Sequence, residues 1–180
     1  RAIGAEFGRV KDVTIGALGD GMRIQTGDLA GPAVDAIGDA ANSSLLGGGG
    51  VDGAIHRAAG PELVAECRML NGCNTGDAKL TGGYRLPARY VIHTVGPVWQ
   101  GGGKGEADLL ASCYRPSLEI AAANDCLTMA FPAISTGIYG YPKDLATEIA
   151  VATVAAFFDQ NAVPAIVTFC CFDQQTAELY

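Results

Sequence analysis

A glycine run between two polar side chains is the part of the chain best suited to chemistry. Residues 47–50 are all glycine, so the backbone N–H groups of residues 48–51 can approach a ligand without obstruction. The run AIHRAA predicts a helix directly afterwards, and its free N-terminal amides would point into the same space. This combination favours a phosphate or diphosphate. Asn42 before the glycines and Asp52 after them could orient a sugar or a water beside it.

Composition limits the classes of protein that fit the chain. Its 180 residues are 49% hydrophobic and 17% charged, which is typical of one compact α/β domain. The net charge of −7 argues against non-specific nucleic-acid binding, which needs clustered lysine and arginine. An anionic ligand would therefore depend on local backbone dipoles. No apolar run reaches the roughly 20 residues that span a membrane, and no secretory signal is evident.

The cysteines and histidines lack the spacing of a metal site. The six cysteines contain no C-x-x-C pair, and both histidines lie far from any ligand-like spacing. We predict no metal, no cofactor, and reduced, buried thiols in a cytoplasmic protein. His56 and His93 are expected to have structural roles. The cysteines are Cys67, Cys73, Cys113, Cys126, Cys170 and Cys171.

Hydrophobic periodicity predicts strands that alternate with helices. The predicted strands cover residues 10–18, 22–26, 33–41, 89–95, 127–134 and 165–172, and the first two could form a hairpin. The predicted helices cover residues 51–59, 61–70, 106–124 and 145–161, with a last helix cut short at residues 176–180. This order indicates a three-layer α/β/α sandwich with a mixed, mostly parallel central sheet. Ligands in such folds gather at the carboxyl ends of strands.

Two other nucleotide-binding motifs fit the chain less well. The segment Gly48-x-Gly50-x-x-Gly53 has the form of a dinucleotide fingerprint, but residues 42–46 intervene after the preceding predicted strand. The region about 20 residues further on is turn-like, where the fingerprint requires an acidic strand end. No G-x-x-x-x-G-K-[ST] occurs, which excludes a P-loop.

Longer motifs resemble one known family, the MacroD-type macrodomains, which bind ADP-ribose. The matching blocks are GGGGVDGAIHRAAGP from residue 47, FPAISTGIYGYP from residue 131, AAN at residues 40–42, GD at 27–28 and YVIHTVGPVW at 90–99. Matches extend from about residue 22 to the end of the chain. The resemblance implies a single macrodomain over residues 1–180, with residues 1–20 as a strand extension.

The resemblance also implies roles for individual residues. Asp28 and the amide of Leu29 would bind adenine, and Phe172 would lie against adenine or its ribose. Asn42 and Asp52 match the pair regarded as catalytic, at the distal ribose. Two loops would close over the diphosphate. The remaining predicted ligand-binding residues are Ala41, Gly48, Gly49, Gly50, Val51, Ser135, Thr136, Gly137, Ile138 and Tyr139.

The activity implied by the resemblance is hydrolysis of ADP-ribosyl esters. Substrates would be mono-ADP-ribosylated Asp or Glu on proteins and O-acetyl-ADP-ribose, attacked by a water that the bound ADP-ribose positions. No metal or covalent intermediate is expected. Either Asp52 or a substrate phosphate could activate the water. The alternative function is a module that binds ADP-ribose without hydrolysis. Neither a membrane nor a nucleic acid is an expected partner.

Two residues depart from the IVNAAN motif usual in the family. Gly38 replaces a β-branched residue and is expected to weaken its strand by up to about 1 kcal/mol. Asp39 replaces an amide, so an acceptor-only carboxylate stands where a hydrogen-bond donor is usual. If Asp39 is buried near an anionic ligand, either its pKa rises or the affinity falls.

Overall fold

The computed structural model describes residues 8–10, 13–19, 21–27, 33–171 and 174–180. The strands within these ranges are β1 (Gly8–Val10), β2 (Val13–Gly19), β3 (Met22–Thr26), β4 (Ala36–Ala40), β5 (Ala78–Gly82), β6 (Tyr90–Thr94), β7 (Thr128–Phe131) and β8 (Ile166–Cys171). The helices are α1 (Gly50–Ala59), α2 (Pro61–Met69), α3 (Glu106–Ala123), α4 (Lys143–Phe158) and α5 (Gln174–Leu179).

All eight of these strands belong to one mixed sheet, in the order β1-β2-β3-β8-β7-β4-β6-β5. The five strands from β3 to β6 in this order run parallel. β1 and β2 at one edge and β5 at the other are antiparallel to their neighbours. The predicted hairpin is confirmed, since β2 pairs with β3. The sheet is therefore mixed and mostly parallel, as predicted.

Helices cover both faces of the sheet. One buried apolar cluster includes Ile55 of α1 and Leu63 of α2, together with Ile37 of β4. The other includes Leu110 of α3 and Ala150 of α4, with further members from α5. The two clusters lie between the sheet and the helices on its two faces, which gives the three layers of the α/β/α sandwich. Among the described residues, no helix is long and apolar enough to cross a membrane.

The structure departs from the sequence prediction at β5 and explains Gly38. β5 was not predicted, because AKLTG is a short, half-buried edge strand with a lysine and a terminal glycine. A Cβ added at Gly38 would lie 2.8 Å from Cδ1 of Phe131, so the glycine makes room for that ring. Packing of Phe131 thus compensates for the strand weakness expected of glycine.

Three neighbouring strands bring the predicted site together. β8, β7 and β4 lie side by side and run parallel. Their carboxyl ends therefore meet at one edge of the sheet, where β4 leads to Asn42 and β7 leads to residues 132–142. A polar loop and a glycine loop that are distant in sequence become neighbours at this edge.

Candidate functional site

A cavity of about 470 Å³ lies at the carboxyl ends of β4, β7 and β8. The described residues predicted to bind ligand or to act in catalysis all line it. They are Ala41, Asn42, Gly48, Gly49, Gly50, Val51, Asp52, Ser135, Thr136, Gly137, Ile138 and Tyr139. The other three, Asp28, Leu29 and Phe172, lie outside the described residues.

The glycine loop forms one wall and ends in the first turn of α1. Gly47 and Gly50 have φ of +99° and +58°, which disfavour residues with a side chain. A Cβ at Gly53 would overlap the carbonyl oxygen of Gly48, so this glycine lets the helix start against the loop. Gly49 precedes the helix, and no side chain caps it. The first amides of α1 therefore remain available to a ligand.

The second wall is the loop after β7, which is held by backbone hydrogen bonds. The amide of Tyr141 donates to Ser135 O at 2.9 Å, and the amide of Trp99 donates to Tyr139 O at 2.8 Å. Ser135 is buried with φ of +67°, an uncommon conformation for a residue with a side chain. Its hydroxyl oxygen has no hydrogen-bond partner among the described residues. Ser135 is thus a buried residue of the cavity lining.

Asn42 and Asp52 lie on either side of Gly48. A Cβ placed on Gly48 would be 3.3 Å from Nδ2 of Asn42 and 3.3 Å from Oδ2 of Asp52. Asn42 also shapes its own loop, because Nδ2 donates to Gly47 O at 2.9 Å and Oδ1 accepts from the Ser44 amide at 3.1 Å. The two predicted catalytic side chains therefore meet at one point of the cavity wall.

His93 is a satisfied core histidine, as predicted. β4 and β6 pair in a register that sets Asp39 beside His93, and both side chains are fully buried. Nδ1 of His93 lies 2.9 Å from Oδ2 of Asp39, and Nε2 lies 2.8 Å from Oγ1 of Thr81. Burial lowers the pKa of His93 to about 4, so the ring is neutral near pH 7. These partners assign the proton to Nδ1, with the Thr81 hydroxyl donating to Nε2.

Asp52 is buried beside His56 and Asp39. Nε2 of His56 lies 3.3 Å from Oδ1 of Asp52, and both oxygens of Asp52 lack hydrogen-bond partners among the described residues. Burial raises the pKa of Asp52 to about 7, and the adjacent Asp39 carboxyl adds to the increase. Burial also raises the pKa of Asp39, to about 6. Burial lowers the pKa of His56.

Asp39, Asp52 and His56 bring three potential metal-ligand atoms close together. One ligand atom each from Asp39, Asp52 and His56 lies within 4.8 Å of the other two. No fourth His, Cys, Asp or Glu of the described residues joins this group. All six cysteines are buried and none forms a disulfide, in agreement with the sequence prediction of reduced, buried thiols.

Sequence reasoning missed several residues that line the cavity. Lys143, the first residue of α4, contributes the only lysine or arginine of the described cavity lining. Its position directly after the FPAISTGIYGYP block was the available signal. Gly96 was also missed. The structure shows why a glycine fits there, since a Cβ would overlap Oγ of Ser135. The other lining residues that were not predicted are Ala40, Ala133, Ile134, Cys170, Cys171 and Thr176.

Comparison with known proteins identifies the family. The Macro domain family model matches residues 39–150. A Macro domain-containing protein of Mesorhizobium japonicum is 71% identical over 161 residues, covering 89% of this chain and 92% of the relative. A Citrobacter rodentium protein named O-acetyl-ADP-ribose deacetylase is 54% identical over 158 residues, covering 86% of this chain and 89% of the relative.

A solved structure shares both the fold and the family. It is a mutant of the Oceanobacillus iheyensis macrodomain, with a glycine replaced by valine, solved with ADPR. It matches with a TM-score of 0.86 at 38% identity, covering 98% of this chain and 94% of that chain. Together with the cavity at the carboxyl ends of β4, β7 and β8, these matches show that the chain belongs to the Macro domain family.

Proposed function

We propose that the chain binds ADP-ribose in this cavity and hydrolyses esters at its distal ribose. The substrates would be O-acetyl-ADP-ribose and proteins mono-ADP-ribosylated on Asp or Glu. The observation that carries the proposal is the placement of Asn42 and Asp52 on either side of Gly48 in the cavity wall. The name of the Citrobacter rodentium relative and the ADPR in the Oceanobacillus iheyensis structure support the same ligand class.

The two loops account for affinity toward a diphosphate. The net charge of −7 repels an anion over long distances, so short-range donors must supply the attraction. The first amides of α1 and the Lys143 ammonium are such donors in the cavity lining. Adenine recognition by Asp28, Leu29 and Phe172 stays a prediction.

Catalysis would depend on positioning. The described residues that line the cavity include no histidine to serve as the base of a serine or cysteine nucleophile. A water beside the distal ribose could instead be oriented by Asn42 and lose its proton to ionised Asp52. A substrate phosphate could take that proton instead, with Asp52 holding the ribose. The ester carbonyl then accepts the water oxygen, and the ribose hydroxyl leaves with a proton.

A binding module without turnover is the second candidate. Asn42 uses both ends of its amide within its own loop, donating to Gly47 O and accepting from the Ser44 amide. This leaves less of its hydrogen-bonding capacity for a water. The observation favours a role in shaping the loop, which a module that only binds ADP-ribose also needs.

Ester turnover and ligand binding, measured together, test the two functions. The purified chain is incubated with O-acetyl-ADP-ribose and with an acceptor auto-ADP-ribosylated on Glu and Asp, while calorimetry measures ADP-ribose affinity. We expect both esters to be hydrolysed, with NAD stabilising the fold much less than ADP-ribose. Binding without turnover selects the binding module. Absence of ADP-ribose binding contradicts both functions.

A further inference from the structure

We propose that Asp39 and Asp52 form one proton-sharing carboxyl pair, in which Asp39 is a positioning residue that sets the charge of Asp52 at the cavity. The proposal rests on the proposed function only for its consequence in ADP-ribose binding. Its first test needs no ligand. It concerns a position where this chain carries an aspartate and the family motif usually has an amide.

The geometry leaves Asp39 with one bonded oxygen and one bare oxygen. Oδ2 accepts the proton of His93 Nδ1 at 2.9 Å, in a strand pair whose register fixes both side chains. Oδ1 is buried and has no hydrogen-bond partner among the described residues. Asp39 is therefore held in place by His93, with a free acceptor oxygen.

Asp52 supplies the matching group from α1. Its side chain is only 5% exposed, and both of its oxygens lack hydrogen-bond partners among the described residues. A carboxylate oxygen of Asp52 lies within 4.8 Å of one from Asp39. Two buried carboxylates at this separation repel each other, whereas one shared proton supplies the donor that both lack.

The groups around the pair do not replace that proton. From α1, His56 lies beside Asp52, and burial keeps its pKa below the usual range. From β6 and β5, neutral His93 and the Thr81 hydroxyl form a hydrogen bond with each other.

Two residues of α2 also lie near the pair without donating to it. The Cys67 thiol lies 3.8 Å from Nε2 of His93. Also from α2, Glu66 accepts the Gly82 amide and the Tyr84 hydroxyl.

The proton is expected on Asp52. The His93 N–H stabilises the anionic form of Asp39, whereas no comparable donor serves Asp52. The pKa of Asp39 is raised by burial to about 6, and that of Asp52 by burial and by Asp39 to about 7. Between these values the pair holds one proton and one negative charge. An asparagine at position 39 would donate its own N–H and remove the need for the proton.

One charge in place of two matters beside an anionic ligand. Protonated Asp52 carries no charge and does not repel a diphosphate. The affinity for ADP-ribose should therefore fall as pH rises through about 7, where Asp52 ionises. Ionised Asp52 is also the form that could accept a proton from water. The protonated form of Asp52 therefore favours ADP-ribose binding, whereas the ionised form favours proton transfer from water.

The first experiment follows the carboxyl carbons by ¹³C NMR between pH 4 and pH 9 in ligand-free protein. In wild type we expect two coupled steps, the upper one near pH 7. Asp39→Asn should lower the Asp52 titration by at least about one pH unit, a tenfold change in acid dissociation. Glu119→Gln, at an exposed position of α3, is the charge-matched control and should leave both steps unchanged.

The reciprocal variant keeps the proposal testable if Asp39→Asn fails to fold. Asp52→Asn should reduce the two-step titration of the Asp39 carboxyl carbon to a single step, because its coupled partner no longer titrates. An Asp52 titration that is unchanged in Asp39→Asn, or an Asp39 titration unchanged in Asp52→Asn, overturns the proposal.

A second readout measures ADP-ribose affinity by calorimetry from pH 5.5 to pH 8.5. The affinity of wild type for ADP-ribose should fall several-fold as pH rises across this range. The affinity of Asp39→Asn should depend less on pH. A profile of the same slope in Asp39→Asn contradicts the proposal. Failure of wild type to bind ADP-ribose at any pH contradicts the proposed function instead, while the NMR titrations still decide whether the pair exists.

Discussion

Two helices of this protein begin with a buried carboxyl, and the two carboxyls have opposite surroundings. Glu106 opens α3 and is 1% exposed, while Asp52 lies in the first turn of α1 and is 4% exposed. Glu106 accepts amide protons from Gln100 and Gly102 at 2.8 and 2.9 Å, and from Lys104 at 2.6 Å. Asp52 accepts none from the described residues.

The pKa values of the two carboxyls follow this difference in hydrogen bonding, since that of Glu106 is lowered and that of Asp52 is raised. Burial raises the pKa of Glu106, but the backbone hydrogen bonds outweigh it and hold the value at about 2. Burial, together with the neighbouring Asp39 carboxyl, raises the pKa of Asp52 to about 7, and no backbone hydrogen bond opposes them. Both residues lie near a helix N-terminus, where the helix dipole stabilises a negative charge, so the dipole does not explain the difference between their pKa values. The local hydrogen-bond donors explain it. A carboxylate whose oxygens accept backbone hydrogen bonds has a structural role, whereas a carboxylate without such donors beside a cavity is a candidate for chemistry.

The largest expected effect is the loss of ester hydrolysis in Asp52→Ala. If Asp52 accepts a proton or orients the ribose, the rate should fall about 10²–10⁴-fold, while ADP-ribose affinity changes far less. Glu62→Ala removes an acid from the first turn of α2 and is the matched control, with an unchanged rate expected. A wild-type rate in Asp52→Ala would refute the catalytic assignment.

The pH profile separates the two roles of Asp52. A base leaves an ionisation in the wild-type rate that disappears in Asp52→Asn. An orienting group leaves the profile shape intact while the rate falls. Asn42→Ala serves as the parallel variant, because Asn42 has no ionisation of its own.

The next effect is smaller and compares two adjacent glycines. A Cβ at Gly48 lies 3.3 Å from both Asn42 and Asp52, whereas a Cβ at Gly49 meets nothing within 4 Å. Gly48→Val should lower hydrolysis by about tenfold or more, since it displaces both side chains. Gly49→Val should retain more activity and a normal melting temperature. Equal losses in the two variants would show that Gly48 does not space the pair.

The third effect is on stability alone, at Glu106. Glu106→Gln removes the negative charge and replaces one of the two oxygens that accept from three backbone amides, so we expect a lower melting temperature and unchanged ester hydrolysis per folded molecule. The folded pKa lies below the ordinary 4.5, so the stabilisation is present above pH 4.5 and disappears as pH falls toward 2. The gap between variant and wild type should therefore narrow in acid. A constant gap from pH 7 to pH 3 contradicts this account.

Much of the fold follows from periodicity, and the exceptions have physical reasons. Buried parallel strands such as β8, with its sequence IVTFCC, appear as continuous apolar runs. Edge strand β5 lacks such a run and was missed. Gly38 is expected from the sequence to weaken β4, because the ring that it accommodates, Phe131, is 93 residues away in the chain. Packing between distant residues is invisible to a local pattern.

The site divides in the same way. The glycine loop and Asn42 could be predicted because their chemistry lies in contiguous residues. Lys143 enters the cavity only through the turn of the second loop into α4. The surroundings of Glu106 and Asp52 could not be predicted either, since both are acids near helix starts. Which of them receives backbone donors depends on loop geometry that the sequence does not reveal.

The smallest expected effect is a gain of stability in Asp39→Asn. Asp39 and Asp52 have folded pKa values of about 6 and 7, above the ordinary 3.8, so the folded state binds extra protons between these limits. The stability from the protonated pair is complete below pH 3.8 and is lost as pH rises through 6 to 7. Asparagine avoids that loss, since it is neutral and can donate toward Asp52 while its oxygen accepts the His93 N–H.

We therefore expect Asp39→Asn to raise the free energy of unfolding by about 1 kcal/mol at pH 8 and by little at pH 5. His93 acts in the opposite direction, because its folded pKa of about 4 makes stability fall as pH drops below 6.5. Since His93 is present in both proteins, its contribution largely cancels in the difference. Urea unfolding of wild type and variant at the two pH values measures the effect. A variant less stable than wild type at pH 8 would mean that Asp39 contributes as a charge in its own right, as Glu106 does.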